Sequence, residues 1–204
     1  IICNHISYLD ILILGSKVNA IFVAKSEINK WPIINKLTSV GKTIFVSRSK
    51  KSDAKNQMKL IERNLRSKFN VVLFPEGTSS DGLKVLPFKS SLFGMIDNPK
   101  MKNFMIQAVS ITYNKLDGVP VDLKYRPFLA WFGRMDLFSH AWKFLGLGAS
   151  EVQLNFHKPM RFSNFENRKN ASEYCFNTIL NQVLRNNMSK KASNILKLNE
   201  FKIL

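Results

Sequence analysis

The sequence predicts an α/β domain. Three observations carry this: apolar runs of strand length recur along the chain, helix-periodic segments separate them, and no repeat, linker or low-complexity block interrupts the series. Apolar residues make up 45% and charged residues 22% of the 204, which is enough for one sizeable buried core. A single domain over residues 1–204 is expected.

The elements follow in order. Ile1–Cys3 reads as the end of a buried strand. The chain opens on it without a Met, so a further N-terminal piece carrying a membrane anchor is expected ahead of Ile1. Ser7–Asp10 leads into a helix at Ile11–Leu14, and Ala20–Ala24 is a strand. Trp31, Ile34, Leu37 and Val40 step at helical spacing, with Pro32 tolerated in the first turn. Thr43–Val46 is a strand. Asp53 reads as the N-cap of a helix over 54–69, in which Ala54, Met58, Ile61, Leu65 and Phe69 form the apolar stripe. Val71–Phe74 is a strand stopped by Pro75, and Ser90–Ile96 is a short helix. Phe104–Tyr113, Phe128–Phe132 and Val152–Phe156 read as strands, with a helix over Asp136–Leu145 ending at Gly146. A last amphipathic helix covers 171–188, and the Lys/Asn-rich stretch 189–204 reads as a flexible tail.

Charge narrows the function. With 31 Lys and Arg against 14 Asp and Glu, the net charge is +17, which calls for an anionic partner: nucleic acid, an anionic membrane face or a phosphorylated substrate. The two cysteines, Cys3 and Cys175, suggest neither a disulfide framework nor a zinc site, and are read as reduced thiols. No apolar run approaches the roughly 18 residues of a spanning helix.

Three segments carry chemistry. In Asn4-His5-Ile6-Ser7-Tyr8-Leu9-Asp10, His5 sits at a strand end, and Asp10 can fold back to accept its Nδ1–H. Nε2 is then free to act as a general base, with a substrate hydroxyl in place of a serine. In Phe74-Pro75-Glu76-Gly77-Thr78-Ser79-Ser80-Asp81-Gly82, a tight loop offers backbone N–H groups and hydroxyls to a phosphate or oxyanion, with Glu76 in a positioning role. In Gly41–Arg48, a strand delivers Arg48 for a bidentate phosphate contact. His140 and His157 have no acid at useful spacing and are read as structural.

Together these segments resemble the glycerolipid acyltransferase family, the lysophosphatidic-acid acyltransferases and their relatives. The N-H-x4-D block (Asn4, His5, Asp10), the G-x-x-x-F-V-x-R block (Gly41 to Arg48) and the F-P-E-G-T block (Phe74 to Thr78) stand in the family's order. Ile106–Thr112 falls where the family has its fourth block, and Trp131-Phe132-Gly133, His140 and Phe156–Pro159 look like a bacterial branch. The resemblance implies a glycerol-3-phosphate acyltransferase-like fold with a mixed, mostly parallel sheet flanked by helices. It implies that His5 deprotonates a lysolipid hydroxyl while Asp10 orients the ring and stabilises the imidazolium. Arg48 would hold the acceptor head group, and Glu76, Gly77, Thr78 and Ser79 would shape the acceptor site. Neither a metal nor a cofactor is implied; acyl-CoA or acyl carrier protein enters as co-substrate. The setting implied is the cytoplasmic face of the inner membrane.

Two departures stand out. Ser79 replaces the Arg of the family's E-G-T-R loop, and Ala108 replaces the Pro of the fourth block. The acceptor expected from the family is 1-acyl-sn-glycerol-3-phosphate. The alternative is a lyso-ornithine lipid, which an E-G-T-S-S loop resembles; Lys84, Lys89 or Arg48 would supply a cation for a phosphate. Trp31–Ile34 is read as able to dip into the lipid interface or to join the core. Lys50, Lys51, Lys55, Lys59 and Arg63 form a solvated face that would also attract an anionic leaflet, CoA or an acyl carrier protein. A nucleic-acid-binding domain would fit the charge, but no reading motif occurs and aromatics do not interleave with the basic runs, so no nucleic-acid partner is expected. A serine hydrolase would need a G-x-S-x-G elbow, which the chain lacks.

Overall fold

Ile2 and Cys3 point to opposite sides of one sheet, as alternate residues of a strand must. In the computed structural model, which describes residues 1–25, 43–46 and 51–200, these two residues are strand β1. β1 lies in the middle of the sheet. On one side it pairs in parallel with β6 (Ala108–Leu116), Ile2 opposite Ala108 and Cys3 opposite Val109. On the other it meets Leu73, just past the end of β4 (Asn70–Val72), with the Cys3 amide donating to Leu73 O at 3.1 Å. β4 pairs in parallel with β2 (Ala20–Lys25), and β2 with β3 (Thr43–Val46). Beyond β6 the sheet turns antiparallel with β8 (Ser150–Phe156), while the short β7 (Val119–Pro120) pairs antiparallel with the far end of β6 on the β1 side. The order is therefore β3-β2-β4-β1-β6-β8, mixed and mostly parallel, as the resemblance implies.

Both faces are covered, which is why the central strands read as unbroken apolar runs. Ile2, Val71, Leu73 and Ala108 pack with Phe93 and Ile96 of a 3-10 helix (Ser90–Asp97) and with Cys175, Ile179 and Val183 of α5 (Arg168–Glu200). Cys3, Val72, Val109 and Ile111 pack with Leu9 and Leu14 of α1 (Leu9–Gly15), Leu129 of α3 (Arg126–Leu129) and Leu137 of α4 (Leu137–Leu145). The first face also receives Ile61 from α2 (Lys51–Arg66), whose Lys59 and Arg63 are exposed. Both cysteines are free and buried, and burial pushes the Cys175 thiol up to about 12.

Several expectations are corrected. α2 begins at Lys51, so Asp53 lies inside the helix and does not cap it. It stops at Arg66 because Lys68 turns left-handed (φ 62) and Phe69 N donates to Asn64 O at 3.1 Å, a Schellman ending. Phe104–Tyr113 is two strands: β5 (Met105–Ile106) pairs with β9 (Met160–Arg161), and after Gln107 the chain changes partners to become β6. Phe128–Phe132 is not a strand. Pro127 opens the single turn of α3, and the next backbone groups bond elsewhere, Ala130 N to Arg126 O at 2.8 Å and Trp131 N to Ile6 O at 3.0 Å. α5 starts at Arg168, where Asn167 Oδ1 accepts from Lys169 N and Asn170 N, and it runs to Glu200 through the stretch expected as a tail. The helix expected over Trp31–Val40 lies outside the described residues.

Candidate active site

Parallel strands release their following loops at the same edge of a sheet, and ligands of open α/β sheets bind at that carboxyl edge. β1 leads into Asn4 and His5, and the neighbouring β4 leads into the Phe74–Ser80 loop, so the topology alone brings the first and third segments together. β3 ends at Val46 in the same orientation; Arg48 lies outside the described residues.

The stem of His5 is held on three sides. Asn4 continues the ladder with its side chain: Nδ2 donates to Ile111 O at 3.0 Å, and Ile111 N donates to Asn4 Oδ1 at 2.9 Å. His5 N donates to Glu76 Oε1 at 2.7 Å, while His5 O accepts from Ser80 N at 2.9 Å. The His5 ring stacks on Phe74, centroids 4.2 Å apart. Together these contacts fix the imidazole plane.

Asp10 enters from the first turn of α1, where its backbone N donates to Ser7 O at 3.0 Å. The carboxylate is completely buried and takes four donors. Oδ2 accepts from His5 Nδ1 at 2.8 Å, Ile6 N at 2.7 Å and Ser7 N at 3.0 Å. Oδ1 accepts from the Tyr113 hydroxyl at 2.8 Å. A carboxylate only accepts, so the network assigns the ring hydrogen to Nδ1 and leaves a lone pair on Nε2. Among the described residues nothing bonds Nε2, and the side chain is 18% exposed. Such a pair can act as a base through Nε2, with the carboxylate orienting the ring from the Nδ1 side.

The loop after β4 divides its work. Glu76 is buried, and its second oxygen accepts from Leu86 N at 2.8 Å, so the carboxylate clamps the His5 backbone to the far end of its own loop. Burial pushes this carboxyl up to about 7, against the pull of the two backbone donors. Gly77 follows at φ 73, a left-handed conformation suited to glycine. Thr78 is exposed, whereas Ser79 is buried and donates its hydroxyl to Trp131 O. Thus His5, Asp10, Glu76 and Ser79 form one connected framework, with Gly77 and Thr78 at its surface.

Sequence reasoning missed Tyr113. Its signal was a phenol on the inward phase of β6, alternating with Val109 and Ile111, since a buried tyrosine normally finds a partner for its hydroxyl. It also missed Tyr8, whose ring meets Trp131 and His140 edge-on and whose hydroxyl lies 3.1 Å from His140 Nδ1. His157 Nε2 lies 2.7 Å from Ser110 Oγ. Burial lowers the pKa of both histidines.

Fold and site together define a class: an α/β domain whose parallel strands deliver a carboxylate-bonded histidine at their carboxyl edge. The Acyltransferase family model matches residues 1–112. The chain is 37% identical over 173 residues to a lyso-ornithine lipid O-acyltransferase of Rhizobium meliloti, covering 83% of this chain and 59% of that protein. It is 33% identical over 173 residues to the Brucella abortus protein of the same name, covering 83% and 65%. A 1-acyl-sn-glycerol-3-phosphate acyltransferase of Neisseria meningitidis is 37% identical over 90 residues, 44% of this chain and 35% of that one. The crystal structure of the 1-acyl-sn-glycerophosphate acyltransferase PlsC from Thermotoga maritima matches with a TM-score of 0.59 at 24% identity, over 89% of this chain and 63% of that one; this likeness shows the fold. The chain belongs to the acyltransferase family. It spans about three fifths of the length of the lyso-ornithine lipid O-acyltransferases from Rhizobium meliloti, Brucella abortus and Rhodobacter capsulatus.

Proposed function

We propose that this chain transfers a fatty acyl group from an acyl thioester to the free hydroxyl of a lyso-ornithine lipid. The observation that carries the chemistry is the His5–Asp10 pair, 2.8 Å apart with Nε2 directed away from it. Nε2 takes the hydroxyl proton as the oxygen attacks the thioester carbonyl, and Asp10 stabilises the imidazolium. As the tetrahedral intermediate collapses, the C–S bond breaks and the leaving thiolate takes the proton back from Nε2. Acyl-CoA or acyl carrier protein is the donor. Arg48, Gly77 and Thr78 are assigned to the acceptor, with Glu76 and Ser79 shaping its surroundings.

Two observations support the acceptor. The relatives bearing the lyso-ornithine name match over most of the chain, whereas the Neisseria relative matches 44% of it. Ser79, where the family resemblance expects an arginine, is turned to Trp131 O and brings no charge to a phosphate. Lysophosphatidic acid is the second reading, favoured by the 37% identity of that Neisseria match. Either acceptor carries a membrane setting with it, the cytoplasmic face of the inner membrane.

The test is acyl transfer by the full-length protein to the two lysolipids side by side, with His5→Ala as control. Transfer to lyso-ornithine lipid is expected to dominate and to fall by about 10²–10⁴ in the variant. A preference for lysophosphatidic acid replaces the first acceptor with the second. Transfer unchanged in His5→Ala removes the dyad mechanism.

A further inference from the structure

α4 has two unlike sides. Leu137 and His140 are buried, whereas Phe138, Trp142 and Leu145 stand 59%, 80% and 75% exposed. Their spacing of four and three residues aligns them along one side of the helix. The segment before α3 adds exposed Val119, Leu123 and Tyr125. The two regions are fastened together, since Asp117 Oδ1 accepts from Ala149 N at 2.7 Å and α3 packs on α4. A large exposed apolar row of this kind marks an interaction surface.

The charges beside the row say what it meets. Lys124, Arg134 and Lys143 are exposed, and among the described residues none pairs with a carboxylate. The exposed acids nearby are engaged by backbone donors: Asp122 Oδ1 accepts from Lys124 N and Tyr125 N, and Asp136 Oδ2 accepts from Ser139 N. The surface offers an apolar ridge flanked by cationic side chains that make no ion pair among the described residues, and in a chain of net charge +17 this suits anionic headgroups above an acyl layer. An exposed tryptophan suits that depth. The other side of the same helix reaches toward the dyad: buried His140 of α4 lies against Tyr8, three residues beyond His5.

We propose that α4 and the turn before α3 dock on an anionic bilayer, with Phe138, Trp142 and Leu145 at the headgroup–acyl boundary and Lys124, Arg134 and Lys143 among the phosphates. The inference rests on the lipid-acyltransferase reading and names the face through which a bilayer-embedded acceptor is reached. It gives the membrane contact a place distinct from any anchor elsewhere in the protein.

The test uses the full chain with vesicles of phosphatidylcholine and phosphatidylglycerol in equal amounts, their acyl chains brominated to quench tryptophan at the boundary. Wild-type fluorescence is expected to be quenched. Trp142→Phe, conservative and at the surface, should still bind but lose most of the quenching. Equal quenching in the two proteins overturns the proposal, as does quenching that is the same on phosphatidylcholine alone. A second variant, Phe138→Ser/Leu145→Ser, is compared on vesicle-embedded and on dispersed short-chain lyso-ornithine lipid. The ratio of the two rates should fall by about tenfold; an unchanged ratio counts against docking. Absence of transfer to every lysolipid, with Trp142 quenched, removes the enzymatic reading and leaves the docking surface standing.

Discussion

Asp10 gathers donors from three places: its own turn, the ring it orients, and a strand 103 positions away. A hydrogen bond to a charged group contributes about 1.5–3 kcal/mol, and a buried oxygen left without its donor costs that order. Tyr113→Phe keeps the ring and removes only the donor. It is expected to lower stability by about 1.5–3 kcal/mol in denaturant unfolding. It should also lower kcat more than it raises KM, because a loosened carboxylate misplaces the imidazole without touching the acceptor. A rise in KM alone would put Tyr113 in substrate binding instead. Glu76 gives a pH signature. Its carboxyl is pushed by burial from 4.5 to about 7, so the folded chain keeps a proton that the unfolded chain has already released. The stability from this group is complete below pH 4.5 and is lost as pH rises through about 7. Unfolding midpoints across that window should fall with pH in the wild type and change less in Glu76→Gln. An equal slope in both would assign the pH dependence to another group.

The elements show which local signals survive packing. The β6–β7 turn is Asp117-Gly118, both with positive φ, the backbone a two-residue hairpin needs. Asp117 Oδ1 then accepts from Ala149 N, and the chain after α4 has to pass close beneath it. A Cβ at Gly148 would sit 1.9 Å from that oxygen, so Gly148→Ala must break the contact or move the turn. A loss of about 0.5–1.5 kcal/mol, that of the one hydrogen bond, is expected, read as a lower unfolding midpoint. A neutral result would show that the turn yields freely. Buried strands such as Val71 and Val72 were legible because both of their faces are apolar. The Phe128–Phe132 stretch was equally apolar, but its backbone is bonded to Arg126, Ile6 and Ser79, none of them on a neighbouring strand. Composition alone does not reveal such partners.

At the scale of the whole molecule, a net charge of +17 acts on every anionic surface the chain approaches. Screening shortens the reach of that field from about 10 Å at 0.1 M salt to about 3 Å at 1 M. Binding to anionic vesicles is expected to weaken several-fold over that range and to leave an apolar remainder carried by Phe138, Trp142 and Leu145. Sedimentation with vesicles at the two salt concentrations measures it; complete loss at high salt would mean that the ridge contributes nothing. From the sequence alone came the α/β class, the order of most elements, the family resemblance and the His5, Asp10 and Glu76 positions, because apolar runs, helix periods and short motifs are local properties. Only the tertiary structure decided that Glu76 clamps the His5 backbone, that Ser79 is turned to Trp131, and that Tyr113 completes the carboxylate's shell. Those contacts join residues 52 to 103 positions apart, and a buried polar atom takes whichever partner the sheet order brings within 3 Å.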